Sequence, residues 1–132
     1  MGTRCLTVFK DEEGKEICVL YRQFDGYPDG HGKELKEFLA NKAVINGYGD
    51  EDVKKGNFNG MGCLAAQVIA HFKKGIGGFY LYPAGTRGEG EEWVYVVSLT
   101  KKGRIKIKQY EADGWRNEYT EEVNKRIQEV QI

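Results

Sequence analysis

The 132-residue chain is poor in the features that mark special environments. It holds 2 prolines and 2 histidines, and its 20 basic side chains are balanced by 20 acidic ones, so no overall charge attracts it to nucleic acid or an anionic membrane. No apolar run approaches the roughly 20 residues of a membrane-spanning helix. The first residues also lack the apolar core of a secretion signal. We therefore expect a cytoplasmic protein without membrane association.

Cysteine is also scarce, with only Cys5, Cys18 and Cys63. Their odd number and their spacing match neither a disulfide framework nor a zinc motif, which predicts reduced thiols. A zinc site formed by Cys63, His31 and His71 would lack any pair of ligands at a typical spacing. The sequence therefore predicts neither a metal nor another cofactor.

What the chain does have is a clear pattern of strands and helices, with 40% hydrophobic and 12% aromatic residues. Apolar and aromatic runs predict five strands, over 3–10, 16–23, 78–83, 92–100 and 104–111. Helical spacing predicts two helices, over 33–41 and 61–74, and 46–60 is expected to be a loop. A sixth strand over 115–119 and a helix over 120–130 are expected to follow. This order indicates one α+β domain over 1–132, with a mainly antiparallel sheet and helices on one face.

The segment 21–32, which we call the elbow segment, is unusually dense in aromatic and ionisable side chains. Turn chemistry explains part of it, because Pro28 suits the second position of a type I turn and Gly26 suits a positive φ. An ion pair from Arg22 to Asp25 or Asp29 would hold the turn closed.

A second interpretation gives the elbow segment a functional role. Arg22, Asp25, Tyr27 and His31 would then line a ligand-binding pocket where the sheet meets the first helix. Turn formation does not require any of these four side chains, so they are the candidate ligand-binding residues.

Three stretches of the sequence resemble a known group of proteins. They are YRQFDGYPDGHG at 21–32, NFNGMGCLAA at 57–66 and GGFYLYP at 77–83. They resemble a set of small proteins of unknown function found in bacteria, phages and mobile gene cassettes, and the resemblance covers residues 17–100. It implies a small stand-alone soluble accessory protein of a mobile element or phage. It implies no activity, and no catalytic residue follows from it.

Cys63 offers an enzymatic alternative, because it lies near the predicted start of the helix over 61–74. A helix N-terminus lowers the pKa of a thiol, and a neighbouring His31 would complete the nucleophile and base of a cysteine-dependent hydrolase. Asp25 or Asp29 could orient the imidazole. The simpler alternative is that Cys63 is a small, buried apolar residue.

Two surfaces suggest partners. Arg104, Lys106 and Lys108 alternate within the basic run 101–108, so they share one face that would contact a phosphate backbone or simply solvent. Aromatic residues of the strands over 78–83 and 92–100 lie on both sheet faces, and an uncovered face would favour self-association or a protein partner. We expect a non-enzymatic interaction module, with a cysteine-dependent hydrolase and a nucleic-acid-binding protein as alternatives.

Overall fold

A computed structural model describes residues 2–112 and 128–131 of the chain. The five predicted strands and the two predicted helices occur in the predicted order, with a π-helical turn (Pro28–Gly32) before the first helix and three short elements between the two helices. They are β1 (Cys5–Lys10), β2 (Glu16–Arg22), α1 (Lys33–Leu39), β3 (Val44–Ile45), α2 (Asp50–Lys55), β4 (Phe58–Asn59), α3 (Gly60–Phe72), β5 (Phe79–Pro83), β6 (Trp93–Leu99), β7 (Ile105–Glu111) and β8 (Gln128–Gln131).

The main sheet has the strand order β5-β2-β1-β6-β7-β8. All neighbours are antiparallel except β1 and β6, which run parallel because the chain forms the helices and β5 before it returns to the centre of the sheet. The short strands β3 and β4 form a separate parallel pair. The predicted α+β class with a mainly antiparallel sheet is confirmed.

The helices cover one face of this sheet. Helix α3 contributes the apolar stripe expected from its spacing, and the stripe packs on alternate residues of β1, β2, β6 and β7. The fully buried members of this layer include Phe9, Leu64, Val68 and Tyr95. A continuous core therefore fills the space between the sheet and the helix layer.

The opposite face of the sheet is buried as well. Val94 and Tyr110 are completely inaccessible, and they pack with Leu6, Val8 and Val19 in a second apolar cluster. The central strands therefore do not present an open aromatic face, and the exposed aromatic residue of this face is Tyr80 on the outer strand β5.

Two expectations about individual elements are corrected. Helix α2 lies within the predicted loop 46–60, where Val53 is its only large apolar residue and is 64% exposed. The expected strand over 115–119 lies outside the described residues, as does most of the expected helix over 120–130. The described end of that second region is β8, a strand and not a helix, paired with β7.

Candidate functional site

The elbow segment folds into a compact turn that directs His31 into the protein. The Gly30 amide donates to the Tyr27 carbonyl at 3.0 Å, as expected for a turn with Pro28 in second position, and the His31 amide donates to the Asp25 carbonyl at 2.8 Å. These bonds wind Pro28–Gly32 into one wide turn that continues into α1. As a result, the His31 side chain lies between the sheet and the helix layer.

Gly26 is required for close packing and not for its backbone angle. The residue with positive φ is Asp25, at 61°, so the prediction for Gly26 was wrong. The Gly26 amide donates to the Thr3 carbonyl at 2.8 Å, and the Tyr95 hydroxyl donates to the Gly26 carbonyl at 2.7 Å. A Cβ at Gly26 would lie 2.8 Å from both Cys5 Cβ and Thr3 O. The first strand and the elbow segment can therefore meet only if this residue is glycine.

Both ring nitrogens of His31 have protein partners. Arg22 Nη1 lies 3.1 Å from Nδ1, and Thr7 Oγ1 lies 2.6 Å from Nε2. Because a guanidinium can only donate, Nδ1 must be the acceptor and must carry no proton. The neutral ring is then protonated at Nε2, which donates to the Thr7 hydroxyl. This arrangement fixes the tautomer of His31.

The His31 ring is completely buried among aromatic groups. Its centroid lies 4.9 Å from that of Phe72 on α3 and 5.2 Å from that of Tyr95 on β6. Burial and the neighbouring Arg22 guanidinium lower the pKa of His31 to about 3. Burial also raises the pKa of the Cys5 thiol and of the Tyr95 hydroxyl. All three groups are therefore neutral at physiological pH.

Arg22 connects the elbow segment to the rest of the fold. Its Nε donates to the Phe24 carbonyl at 2.6 Å, and its Nη1 also donates to Glu34 Oε2 at 2.6 Å. The guanidinium carbon lies 5.7 Å from the ring centroid of Phe72 and 5.1 Å from that of Phe79. The expected ion pair with Asp25 or Asp29 was wrong, because α1 brings Glu34 to the guanidinium instead.

Asp25 and Tyr27 lie on the outside of the elbow segment. Both are exposed, and the Tyr27 hydroxyl lies 3.4 Å from Asp25 Oδ1, a long contact. Arg22 and His31 point inward and contact each other, so the four candidate ligand-binding residues do not converge on one pocket. The structure divides them into an internal pair and an external pair.

Cys63 lies far from His31. The imidazole packs against Phe72 at the end of α3, whereas Cys63 lies in the first turn of that helix. Nine residues separate Cys63 from Phe72, which corresponds to about 13 Å along the helix. Because the His31 nitrogens are also occupied by Arg22 and Thr7, the structure does not form the predicted catalytic dyad.

The other predicted sites receive no geometric support. Within residues 2–112 and 128–131, no cluster of three or more His, Cys, Asp or Glu side chains could hold a metal ion. The basic residues Lys106 and Lys108 lie on β7, an interior strand between β6 and β8, and both are only partly exposed. They share the sheet face of Val96 and Tyr110, whereas Lys101, Lys102 and Arg104 are exposed just before β7, so the basic run is divided between two places.

Sequence reasoning missed several residues that contact His31 or Arg22. Thr7, Glu34, Phe72 and Tyr95 come from four different elements. Phe72 belongs to the apolar stripe of α3, and Thr7 is a polar residue at an inward position of β1. An inward-facing polar residue on a strand is the signal that a buried polar partner exists.

The strand β5 forms an exposed edge of the sheet. It is the outermost strand beside β2, and its five residues carry no charge. Tyr80 and Leu81 are 47% and 60% exposed. The Gln23 amide donates to the Gly78 carbonyl at 2.8 Å, which continues the ladder between β2 and β5. Since antiparallel ladders alternate, Phe79, Leu81 and Pro83 direct their backbone groups outward, and we call these groups the β5 edge.

Contacts at the two ends of β5 support this alternation. The Lys73 ammonium donates to the outward carbonyl of Phe79 at 2.8 Å, and Thr86 donates to the outward carbonyl of Pro83 through its hydroxyl at 2.8 Å. Neither contact reaches Leu81, and the described part of the sheet has no strand beyond β5. The N–H and C=O of Leu81 therefore face away from the protein.

In the part of the chain that the structure describes, no helix has both the length and the apolar character needed to cross a membrane.

Comparison with known proteins assigns no family or function to the chain. No protein-family model matches the chain, and neither a curated protein nor a solved structure matches it.

Proposed function

We propose that this protein is a non-enzymatic interaction module that binds an extended strand of a partner at the β5 edge. The observation that carries the proposal is the outward N–H and C=O of Leu81 on an uncharged outer strand with exposed Tyr80 and Leu81 side chains. Proteins usually protect such an edge with charges, proline or a covering segment, because it is a template for strand addition.

The internal contacts of the elbow segment support a structural role for its polar residues. Arg22 and His31 use their hydrogen-bonding groups on Phe24, Glu34 and Thr7. The Arg22 guanidinium also packs on Phe79, the first residue of β5. The elbow segment therefore supports the binding edge from inside and leaves the contact with a partner to β5.

The two alternative functions have less support. A cysteine-dependent hydrolase would need a base beside Cys63, and His31 lies at the other end of α3. A nucleic-acid-binding protein would need a projecting basic surface, and β7 is an interior strand. A role as an accessory protein of a mobile element or phage is part of the proposal only through the sequence resemblance.

A peptide-selection experiment tests the proposal without knowledge of the partner. A library of random short peptides is selected against the wild-type protein and against Leu81→Pro, which removes the outward N–H and the exposed leucine side chain from the edge strand. We expect selected peptides to bind the wild type, to shift the amide NMR signals of Phe79 and Leu81, and to lose at least about tenfold in affinity for the variant.

The matched control is Ile76→Ala, at an exposed residue in the loop before β5, and it should bind the same peptides as the wild type. Amide spectra and thermal unfolding of both variants establish that the fold is retained. The proposal is contradicted if no peptide is selected, or if the selected peptides bind Leu81→Pro as well as the wild type.

A further inference from the structure

We infer that the strand received by the β5 edge is β5 of a second copy of this chain, paired antiparallel with Leu81 on the twofold axis. This inference rests on the proposed function and names its partner. In this register Leu81 faces Leu81, Tyr80 faces Tyr82 and Phe79 faces Pro83. A twofold axis makes every such contact occur twice, as in other isologous dimers.

The outward backbone groups of β5 complement themselves in this register. The Leu81 N–H of each copy reaches the Leu81 carbonyl of the other, which satisfies both groups that no described residue occupies. The Phe79 N–H of each copy also faces the Pro83 carbonyl of the other. That oxygen already accepts from the Thr86 hydroxyl at 2.8 Å and from the Thr86 amide at 3.2 Å, so both of its lone pairs are used within its own chain. The pairing therefore supplies two hydrogen bonds between the copies, both at Leu81.

The position of Pro83 is compatible with this pairing, because the carbonyl opposite its missing N–H already has another donor. Pro83 would face the Phe79 carbonyl, to which it has no N–H to donate. That carbonyl already accepts a hydrogen bond from the Lys73 ammonium within its own chain. A foreign strand with a donor at this position would compete with Lys73, whereas a second β5 does not.

Charge and side-chain contacts also favour a second copy. The sequence FYLYP has no charged residue, so pairing with itself brings no like charges face to face. The two Lys73 side chains would lie beside the two Phe79 carbonyls, roughly 13 Å apart for strands offset by four residues. At that distance physiological salt screens their repulsion. On the sheet faces, Tyr80 packs on Tyr82 and Leu81 on Leu81, which removes exposed apolar surface from water.

The short strand sets the strength of the dimer. Five residues in each copy give an interface at the low end of the range for specific complexes, below about 1,200 Å² in total. We therefore expect a reversible dimer with a dissociation constant on the order of 10 μM. The two six-stranded sheets would become one continuous sheet.

Sedimentation velocity tests the dimer over protein concentrations from about 5 μM to about 500 μM, a range that brackets this affinity. The wild type should pass from monomer to dimer. Leu81→Lys should need at least about tenfold higher concentration than the wild type to dimerise, because it places two ammonium groups face to face at the twofold axis. Ile76→Lys adds the same charge beside the edge and should dimerise like the wild type.

A cross-linking experiment tests the register. With Cys18 and Cys63 replaced by serine, Leu81→Cys should form a disulfide-linked dimer under mild oxidation, because its partner is itself. Ile76→Cys is the control and should form at least tenfold less. Efficient cross-linking of the control but not of Leu81→Cys would overturn the proposed register.

The outcomes separate this inference from the proposed function. A wild-type protein that stays monomeric at the highest concentration, but binds selected peptides at the β5 edge, overturns the homodimer and retains strand addition. A monomer that also selects no edge-binding peptide overturns both. A dimer that Leu81→Lys does not weaken overturns the inference, because the contact then lies elsewhere on the molecule.

Discussion

Acid should destabilise this protein through His31. The imidazole is completely buried, and burial together with the Arg22 guanidinium lowers its pKa to about 3, against an ordinary value of 6.5. Between these two values the unfolded chain binds a proton that the folded protein does not bind. Stability therefore rises with pH in this window. The contribution of neutral His31 is complete above pH 6.5 and is lost progressively as the pH falls toward 3.

The size of the effect follows from linkage. One pH unit in this window changes the free energy of unfolding by about 1.4 kcal/mol for one proton. Relative to about pH 8, the loss at about pH 5 is roughly 2 kcal/mol. The loss of unfolding free energy at about pH 5 depends almost entirely on the pKa of His31 in the unfolded chain, because the imidazole of the folded protein is still neutral at that pH. Arg22 Nη1 lies 3.1 Å from His31 Nδ1, and the same nitrogen donates to Glu34 Oε2 at 2.6 Å.

Urea unfolding at about pH 8 and about pH 5 measures this difference. The informative variant is His31→Gln, whose amide can accept from Arg22 and donate to Thr7 without titrating. It should lose roughly 2 kcal/mol less than the wild type between the two pH values. Ile76→Gln, at an exposed position without a titrating group, is the control and should keep the wild-type difference. Equal pH dependence in the wild type and His31→Gln would refute the argument that His31 is buried and neutral.

Two further predictions concern the packing around this cluster. Arg22→Lys keeps a positive charge but loses the planar fork of donors, and it should lower the free energy of unfolding by about 2 kcal/mol in urea titrations; a loss below about 0.5 kcal/mol would contradict the assigned contacts. Gly26→Ala should cost about 1–3 kcal/mol, because its Cβ would lie 2.8 Å from Cys5 Cβ, whereas Gly62→Ala, with no heavy atom within 4 Å, should stabilise α3 by about 0.5–1 kcal/mol. Similar thermal shifts in both glycine variants would show that the close approach at Gly26 is wrong.

The sequence predicted helix α3, which has a strong apolar period, and missed helix α2, which has none. Helix α3 was expected over 61–74 and is Gly60–Phe72, because its apolar stripe is both the sequence signal and the packing surface. Helix α2 has no such stripe. Its local bonds include the Gly49 amide donating to Asp52 Oδ2 at 3.0 Å, and short polar helices of this kind leave no periodic pattern.

Strand order was beyond local reasoning. The strands joined by short connections, β1 with β2 and β6 with β7, pair antiparallel, in agreement with the mainly antiparallel sheet expected from the sequence. The parallel contact between β1 and β6 joins residues far apart in sequence, and no local pattern encodes it. This contact matters for the site, because it brings Tyr95 to the Gly26 carbonyl and the His31 ring.

The candidate residues of the elbow segment were identified, but their directions were not. Asp25 takes the positive φ that was assigned to Gly26, and this exchange leaves the Asp25 side chain outside while His31 turns inward. The pairing of Arg22 with Glu34 depends on where α1 begins relative to the sheet. A shift of one residue in the position of the positive φ or in the start of α1 would change which side chains point inward. The composition of the elbow segment alone therefore could not distinguish a ligand pocket from an internal cluster.

The elbow segment and the β5 edge depend on each other. An edge strand is hydrogen-bonded on one side only, so its outer residues need other contacts to hold a fixed shape. Here Phe79 packs against the Arg22 guanidinium and against Phe72, and the Arg22 guanidinium is itself fixed by His31 and Glu34. Burying polar groups costs free energy unless each one is satisfied, and this cluster satisfies both His31 nitrogens. Arg22 and His31 therefore support β5 from inside. The N–H and C=O of Leu81 face away from them, so the two residues have no part in the proposed strand pairing.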